Sequence, residues 1–399
     1  MSVHIPQTLL FSATLVSSLM LAPAGTPDPA GRALLVAPTA ARPVTPQVRE
    51  VLVRPEASPD GVVTSRPAHS TGFGVVGATW DGATPRGLRV AVRTKSGQVW
   101  SAWAPLEIDA DHAPDPGSAD ARSARQGTDP LVVGDVGLVQ MRATNRSGRV
   151  PADLRLSVVD PGHSPADDDV TTAAAGALGA VGRASRPVIR SRAAWGANER
   201  LRTRRPTFGV VRAGFVHHTV NSNGYSRADV PAIIRGIYAF HTQGRGWSDI
   251  GYNFLVDRFG RIWEGRFGGA ARNVIGAHTL GYNHLSFAMS AIGNFQTARP
   301  SRAMLSAFGR LMAWKLGING VAAGDRRQRL RGHVLRAISG HRDAGQTACP
   351  GIRLYRRIPA IRSIAVAVQR GGQPPAPPPV PPPPAPTPPP PDDGGPGPG

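Results

Sequence analysis

The sequence predicts an α/β domain, a sheet covered by helices, preceded by a small all-β sandwich-like domain. Three observations carry this. Residues 70–161 are a series of short β-rich runs broken by Gly, Pro, Asp and Ser. Residues 187–370 alternate such runs with segments of helical period. The charge divides near the same place. Residues 183–370 hold 31 basic and 7 acidic side chains, net +24, whereas residues 1–182 stand at −2, within a chain total of +20.

The N-terminus, 1–24, carries an apolar stretch from Leu9 to Leu21 followed by Ala22-Pro23-Ala24. That stretch falls short of the roughly 18 residues needed to span a bilayer, so it reads as a signal peptide, although Lys and Arg are missing ahead of it. No later segment is long and apolar enough to span. Residues 25–69, rich in Pro, Ala and Arg without periodicity, are expected to be a disordered linker. In 70–161 the strand candidates are "GFGVVGATW", "GLRVAVRT", "QVWSAWAPL", "LVVGDVGLVQMRAT" and "DLRLSVVD". Trp80, Trp100 and Trp103 could form a sugar platform, but core packing is the plainer reading of large aromatics. Residues 162–186 are again linker-like.

In 187–370, "SRADVPAIIRGIYAFHTQGR" predicts a helix. Ser226 and Asp229 make a capping-box pattern, and Val230, Ile233, Ile234, Ile237 and Phe240 share one face. "YNFLVDRFGRIWEGR" predicts two strands around a turn at Asp257–Gly260, and "SFAMSAIGNF" a buried strand. "SRAMLSAFGRLMAWKLGI" predicts a second helix with Met304, Leu305, Phe308, Leu311 and Met312 on one face. The tail, 371–399, is nearly all Pro, Gly and Ala from Gln373 onward and cannot bury a core; extended polyproline II is expected.

The basic segment implies an anionic partner: nucleic acid, a membrane surface or a wall polymer. There is no nucleic-acid motif, and export favours the wall polymer. The chain has one cysteine, Cys349, which cannot form an internal disulfide. An exported thiol needs burial or a bound partner. Zinc at a catalytic site takes three protein ligands and keeps a fourth position for water. A loop could bring His341 and Cys349 to one ion, and "HHT" at 217–219 could supply the third donor. On spacing alone, a histidine in an apolar run is more often an ordinary core residue.

The blocks "FVHHTVNS", "GWSDIGYNFLVDRFGRIWEGR", "GAHTLGYNHLSFAMSAIGNF" and "GHRDAGQTACPG" resemble, in this order, the peptidoglycan recognition protein family. That family is similar to zinc-dependent N-acetylmuramoyl-L-alanine amidases of the phage-lysozyme type. The resemblance covers 187–370 and implies a central mixed sheet flanked by helices around a zinc-holding groove. It implies His217, His341 and Cys349 as metal ligands, with His218 packed or hydrogen-bonded beneath the site. It implies Tyr252 and Thr347 as catalytic residues, Thr347 lining the site where it could orient water or substrate. Gly246, Trp247 and Arg266 match the members that prefer meso-diaminopimelate stem peptides, Arg266 being suited to the extra carboxylate. His278 is a further substrate-side candidate.

Three functions compete: a zinc amidase cutting the bond between the lactyl group of N-acetylmuramic acid and L-alanine, a non-catalytic peptidoglycan receptor on the same fold, and a cysteine peptidase using Cys349 and His341. The complete ligand set favours the amidase. The expected protein is a secreted or wall-associated monomer that binds peptidoglycan through its positive charge, without nucleic acid.

Overall fold

A computed structural model of the chain describes residues 42–53, 61–168 and 184–372. The signal-peptide reading and the tail from residue 373 fall outside the described residues. Among the described residues, no helix is long and apolar enough to cross a membrane.

The first unit is a sandwich of two antiparallel sheets. One runs Gln47–Leu52, Arg155–Asp160, Phe73–Trp80, Gln126–Gly127, with Leu131–Asp135 also paired to Phe73–Trp80. The other runs Val62–Thr64, Leu138–Thr144, Arg89–Ser96, Val99–Trp100, with Ala68–His69 and Ala104–Leu106 attached. Val76, Ala78, Trp80, Leu156 and Val158 of the first sheet meet Val90, Val92, Val139 and Met141 of the second in one core. Trp80 is therefore a core residue. Trp100 and Trp103 are half-buried and stack on the Arg93 guanidinium at 4.5 and 4.7 Å.

Two linker expectations are corrected. Residues 47–52, 62–64 and 68–69 are strands, the first pairing along its full length with Arg155–Asp160. Their short, edge-placed apolar pattern carries too little periodicity to register in sequence. Residues 162–168 are also ordered by a short helix, Pro165–Asp168, which supplies a buried acid to the second unit.

The second unit is a mixed six-stranded sheet in the order Ile189–Arg190, Ile262–Glu264, Phe254–Val256, Ser286–Ala291, Ala213–His218, Ile338–Gly340. Only the Phe254–Val256/Ile262–Glu264 pair is antiparallel, around the predicted turn. Helices Arg302–Gly317 and Ile358–Gln369 cover one face. Met304, Leu305, Phe308, Leu311 and Met312 pack there with Val216, Phe254 and Met289. The Ser301 side chain caps the first of these helices by accepting from Met304 N at 3.1 Å.

Helix Asp229–Ala239 covers the opposite face, continuing through a wider turn over Phe240–Gly244. The capping box forms: Ser226 N donates to Asp229 Oδ2 at 2.6 Å, and Asp229 N donates to Ser226 Oγ at 3.3 Å. This helix has no water-facing side over most of its length. Ile233, Ile234 and Ile237 share a core with Leu255 and Ala288 of the sheet, with Ile292 just beyond it, and with Val75 and Val159 of the sandwich. The strand period explains this contact. In Phe73–Trp80 the even positions fill the sandwich core, and Val75 and Gly77 point outward onto the helix. A Cβ on Gly236 would collide with Val75, and one on Gly77 with Phe240, so the two glycines set how closely the units approach.

Arg235, fully buried in this seam, bonds the Asp167 carboxylate through both terminal nitrogens at 3.0 and 2.6 Å. It also donates to the carbonyls of Pro161, Gly162 and Trp195. Removing one partner of such a pair strands the other charge in a dry seam. Arg235→Ala is expected to cost about 3–5 kcal/mol. Urea unfolding followed by tryptophan fluorescence would measure the shift; an unchanged midpoint would remove the seam from the stabilising interactions.

Candidate metal centre and groove

The sheet register brings two remote histidines together. Val216 stands opposite Gly340 on adjacent parallel strands, so His217 and His341 emerge side by side at the same strand ends. Their ring centroids are 4.6 Å apart. Cys349 returns to the same point after the loop that follows His341, with its Sγ 3.6 Å from His217 Nδ1. One donor atom from each of His217, His341 and Cys349 lies within 4.8 Å of the others. All three residues are buried.

Burial pushes His217 well below the ordinary imidazole range, helped by the neighbouring His341 and His278, and His341 is lowered by burial too. Both are therefore neutral and able to offer a lone pair. His217 Nε2 lies 3.3 Å from Thr279 Oγ1, which lies 2.9 Å from His278 Nδ1. With Nε2 protonated and donating to that hydroxyl, Nδ1 is the nitrogen left facing the sulfur. Neither buried ring nitrogen of His341 makes a hydrogen bond; Nδ1 has only the Asp109 Oδ2 contact at 3.5 Å, and Nε2 is orphaned. An orphaned imidazole nitrogen beside a thiol and a second imidazole fits a zinc-type ion with a further position open. His218, one step along the strand, points to the other face and accepts from Phe295 N at 3.2 Å.

Cys349 is fixed by Thr347, whose Oγ1 accepts from Cys349 N at 3.0 Å. Burial, then the nearby Asp109 carboxylate, pushes the thiol well above its ordinary range. The following helix starts only at Ile352. Neither feature activates a nucleophilic thiolate, which weighs against a cysteine peptidase.

Tyr252 stands at the floor, its ring 5.7 Å from that of His217. Burial, then Asp129, raises its phenol well above the ordinary range, so it is a neutral donor. Trp247 is fully buried against His241 at 4.5 Å and under the Arg245 guanidinium at 4.7 Å. Gly246 has a left-handed φ of 69°. Arg266 donates to Ser248 Oγ at 2.9 Å and pairs with Asp120. His278 lies behind His217 at a ring separation of 5.3 Å, fully buried, with its backbone N–H donating to Asn283 Oδ1 at 2.7 Å. His217, His341, Cys349, Tyr252 and Thr347 thus form one cluster. Gly246, Trp247 and Arg266 form its adjoining wall.

Sequence reasoning missed Thr279, which sits in a quoted block but carries no metal-ligand signature. It also missed every contribution from the sandwich. The segment 107–125 crosses from that unit over the site. Thr347 Oγ1 donates to Asp109 Oδ2 at 2.6 Å, and the same oxygen is 3.5 Å from His341 Nδ1. His112 stacks on Tyr252 at 4.9 Å and lies 2.7 Å through Nδ1 from Asp129 Oδ1. Asp109 and His112 are more than 100 residues away from His217 in sequence.

Comparison with known proteins gives the same class. A family model described as N-acetylmuramoyl-L-alanine amidase matches residues 207–352, and one described as the Rv3811 N-terminal galactose-binding domain-like family matches 32–174. Peptidoglycan-recognition protein SC2 of Drosophila simulans is 34% identical over 143 residues, 36% of this chain and 70% of that protein. The N-acetylmuramoyl-L-alanine amidase of Homo sapiens is 34% identical over 178 residues, 42% of this chain and 27% of that protein. The solved structure of wild-type Drosophila PGRP-LB is 31% identical, covering 43% of this chain and 92% of its own, with a TM-score of 0.36. The chain belongs to the family of peptidoglycan recognition proteins and N-acetylmuramoyl-L-alanine amidases.

Two outcomes follow for the metal. Loading an ion requires the Cys349 thiol to give up a proton that burial retains, while the two imidazoles are already neutral. Affinity should therefore strengthen as pH rises through neutrality, with about one proton released per ion bound; calorimetry in buffers of different ionisation enthalpy measures this. Thr279→Val should weaken zinc binding about 10–100-fold by freeing the His217 tautomer. Equal affinity in a competition with a chromogenic chelator would remove Thr279 from that role.

Proposed function

We propose that the protein is a zinc-dependent N-acetylmuramoyl-L-alanine amidase acting on peptidoglycan of the meso-diaminopimelate type, outside the cell or in the wall. The observation that carries this reading is the convergence of His217, His341 and Cys349 on one point beside Tyr252. Family members include recognition proteins as well as amidases, and the full donor set favours hydrolysis over recognition alone.

The reaction adds water to the lactyl carbonyl carbon and breaks its bond to the L-alanine nitrogen. The products are a lactyl carboxylate and a stem peptide with a free amino terminus. His217 Nδ1, His341 and the Cys349 sulfur would hold the ion, which supplies Lewis-acid polarisation and lowers the pKa of water when bound. Thr279 keeps His217 in the donor tautomer, and Thr347 holds the Cys349 backbone. Tyr252, kept protonated by burial, donates its O–H to the carbonyl oxygen as negative charge builds there, an interaction stronger in the transition state than in the ground state. Arg266 presents a planar guanidinium to the side-chain carboxylate of diaminopimelate. Trp247 walls that subsite, and Gly246 turns the backbone beside it through a left-handed φ. The +24 segment attracts the anionic wall polymer, an attraction that salt screens.

Digestion of purified diaminopimelate-type peptidoglycan, read by mass spectrometry, tests the assignment. Stem peptides beginning with free L-alanine are expected; cuts within the stem would point to a peptidase, and no release at all to a receptor. A chelator should abolish release and zinc restore it. Tyr252→Phe should lower kcat by about 10²–10³ with little change in KM; an equal rate would exclude the phenol from charge stabilisation.

A further inference from the structure

The site described above is covered, and the covering segment belongs to the same chain. Residues 107–125 leave the sandwich after strand Ala104–Leu106 and return at Gln126–Gly127 without forming a strand or α-helix of their own. Along this path the segment touches each part of the groove in turn. Asp109 lies over the metal-ligand cluster through Thr347 and His341. Asp111 accepts from Gln346 N at 2.6 Å, and its carbonyl accepts from Leu280 N at 2.8 Å. His112 packs on Tyr252 and lies 5.3 Å from Trp247. Asp115 accepts from Gly281 N at 2.6 Å and from Asn283 Nδ2 at 2.7 Å. Asp120 takes the Arg266 guanidinium, and Ser123 Oγ donates to the Gly246 carbonyl at 2.8 Å. With the segment in place, His217, His341, Tyr252 and Trp247 are each no more than 1% exposed, leaving no path for a polymer to reach them.

The chemistry of the segment is that of the anion the groove is built to receive. It carries Glu107, Asp109, Asp111, Asp115 and Asp120 against only Arg122 and Arg125 of its own, and it sets a carboxylate on Arg266. We infer that residues 107–125 are an internal ligand of the groove, competing with wall peptide for the same partners, so that the enzyme is closed until the segment is displaced. This rests on the peptidoglycan reading above for the identity of the competitor, and on the contacts alone for the closure. Displacement is feasible because the segment is tied mainly by side chains and few backbone pairings, the kind of element that opens without global unfolding. The apparent affinity for wall peptide is then the intrinsic affinity reduced by the fraction of molecules that are open.

The test uses the full chain, metal-free, and a variant carrying Asp115→Ala and Asp120→Ala, neither of which is assigned to catalysis or metal binding. A disaccharide-tetrapeptide containing diaminopimelate is titrated by calorimetry, and the Cys349 thiol is timed against an aromatic disulfide reagent. Expected are an affinity about tenfold tighter or more and a thiol reaction faster by a similar factor in the variant. A variant that binds more weakly, or whose thiol reacts no faster than the wild type, overturns the closure. A faster thiol with no peptide binding by either protein sustains the closure and sinks the peptidoglycan assignment instead. Should the variant not fold, hydrogen exchange on the wild-type chain decides: amides of 109–123 should lose protection when the peptide is added, and retained protection under saturating peptide overturns the inference.

Discussion

Two neighbouring parallel strands, locked with Val216 opposite Gly340, determine where the chemistry can occur. Side chains leaving equivalent ends of such strands are held about one strand spacing apart, roughly 4.8 Å, a separation that two imidazoles can close onto one ion. A one-residue slip would turn His217 to the face where His218 now accepts from Phe295 and would dismantle the cluster. The register is in turn secured from both sides of the sheet. The Met304–Met312 surface grips Val216 from one face, and Ile233, Ile234 and Ile237 pack on the other. Precision at the donor atoms is thus a property of packing several residues away, and the local turn containing Cys349 only has to deliver one further atom.

Burial at this point has opposite effects on the groups that share it. It keeps His217 and His341 neutral, which suits ligation, and keeps Tyr252 protonated, which suits donation. The same dry surroundings hold the proton on Cys349, so the three candidate donors meet in geometry while the thiol stays neutral. Neutral imidazole, neutral phenol and neutral thiol coexist here because burial disfavours the charged form of each.

Much of this was legible in the chain. Helical and strand periods gave the faces that pack, as in the helix from Asp229 and the capping box at Ser226. The motif resemblance pointed to His217, His341, Cys349 and Tyr252, which the fold brings together and whose chemical type is itself informative. What escaped was relational. Residues 47–52 form an edge strand whose apolar alternation is too short to stand above composition. Asp109, His112 and Asp120 look in sequence like ordinary solvated residues of a Pro- and Gly-punctuated loop. Their meaning lies in partners such as Arg266, 146 positions away. Thr279 escaped because a hydroxyl acting through another residue's tautomer leaves no spacing rule to search for.

The helix at 229–239 has its apolar side against the sheet and its back, cut down to Gly236, against Val75 of the sandwich. A fragment of the second unit alone, produced by clipping between the two halves, would bare that back and the Arg235 guanidinium to water at once. The sandwich is consequently not a module that could be traded for another domain while the remainder stays intact; any swap would have to carry a matching surface for this one helix.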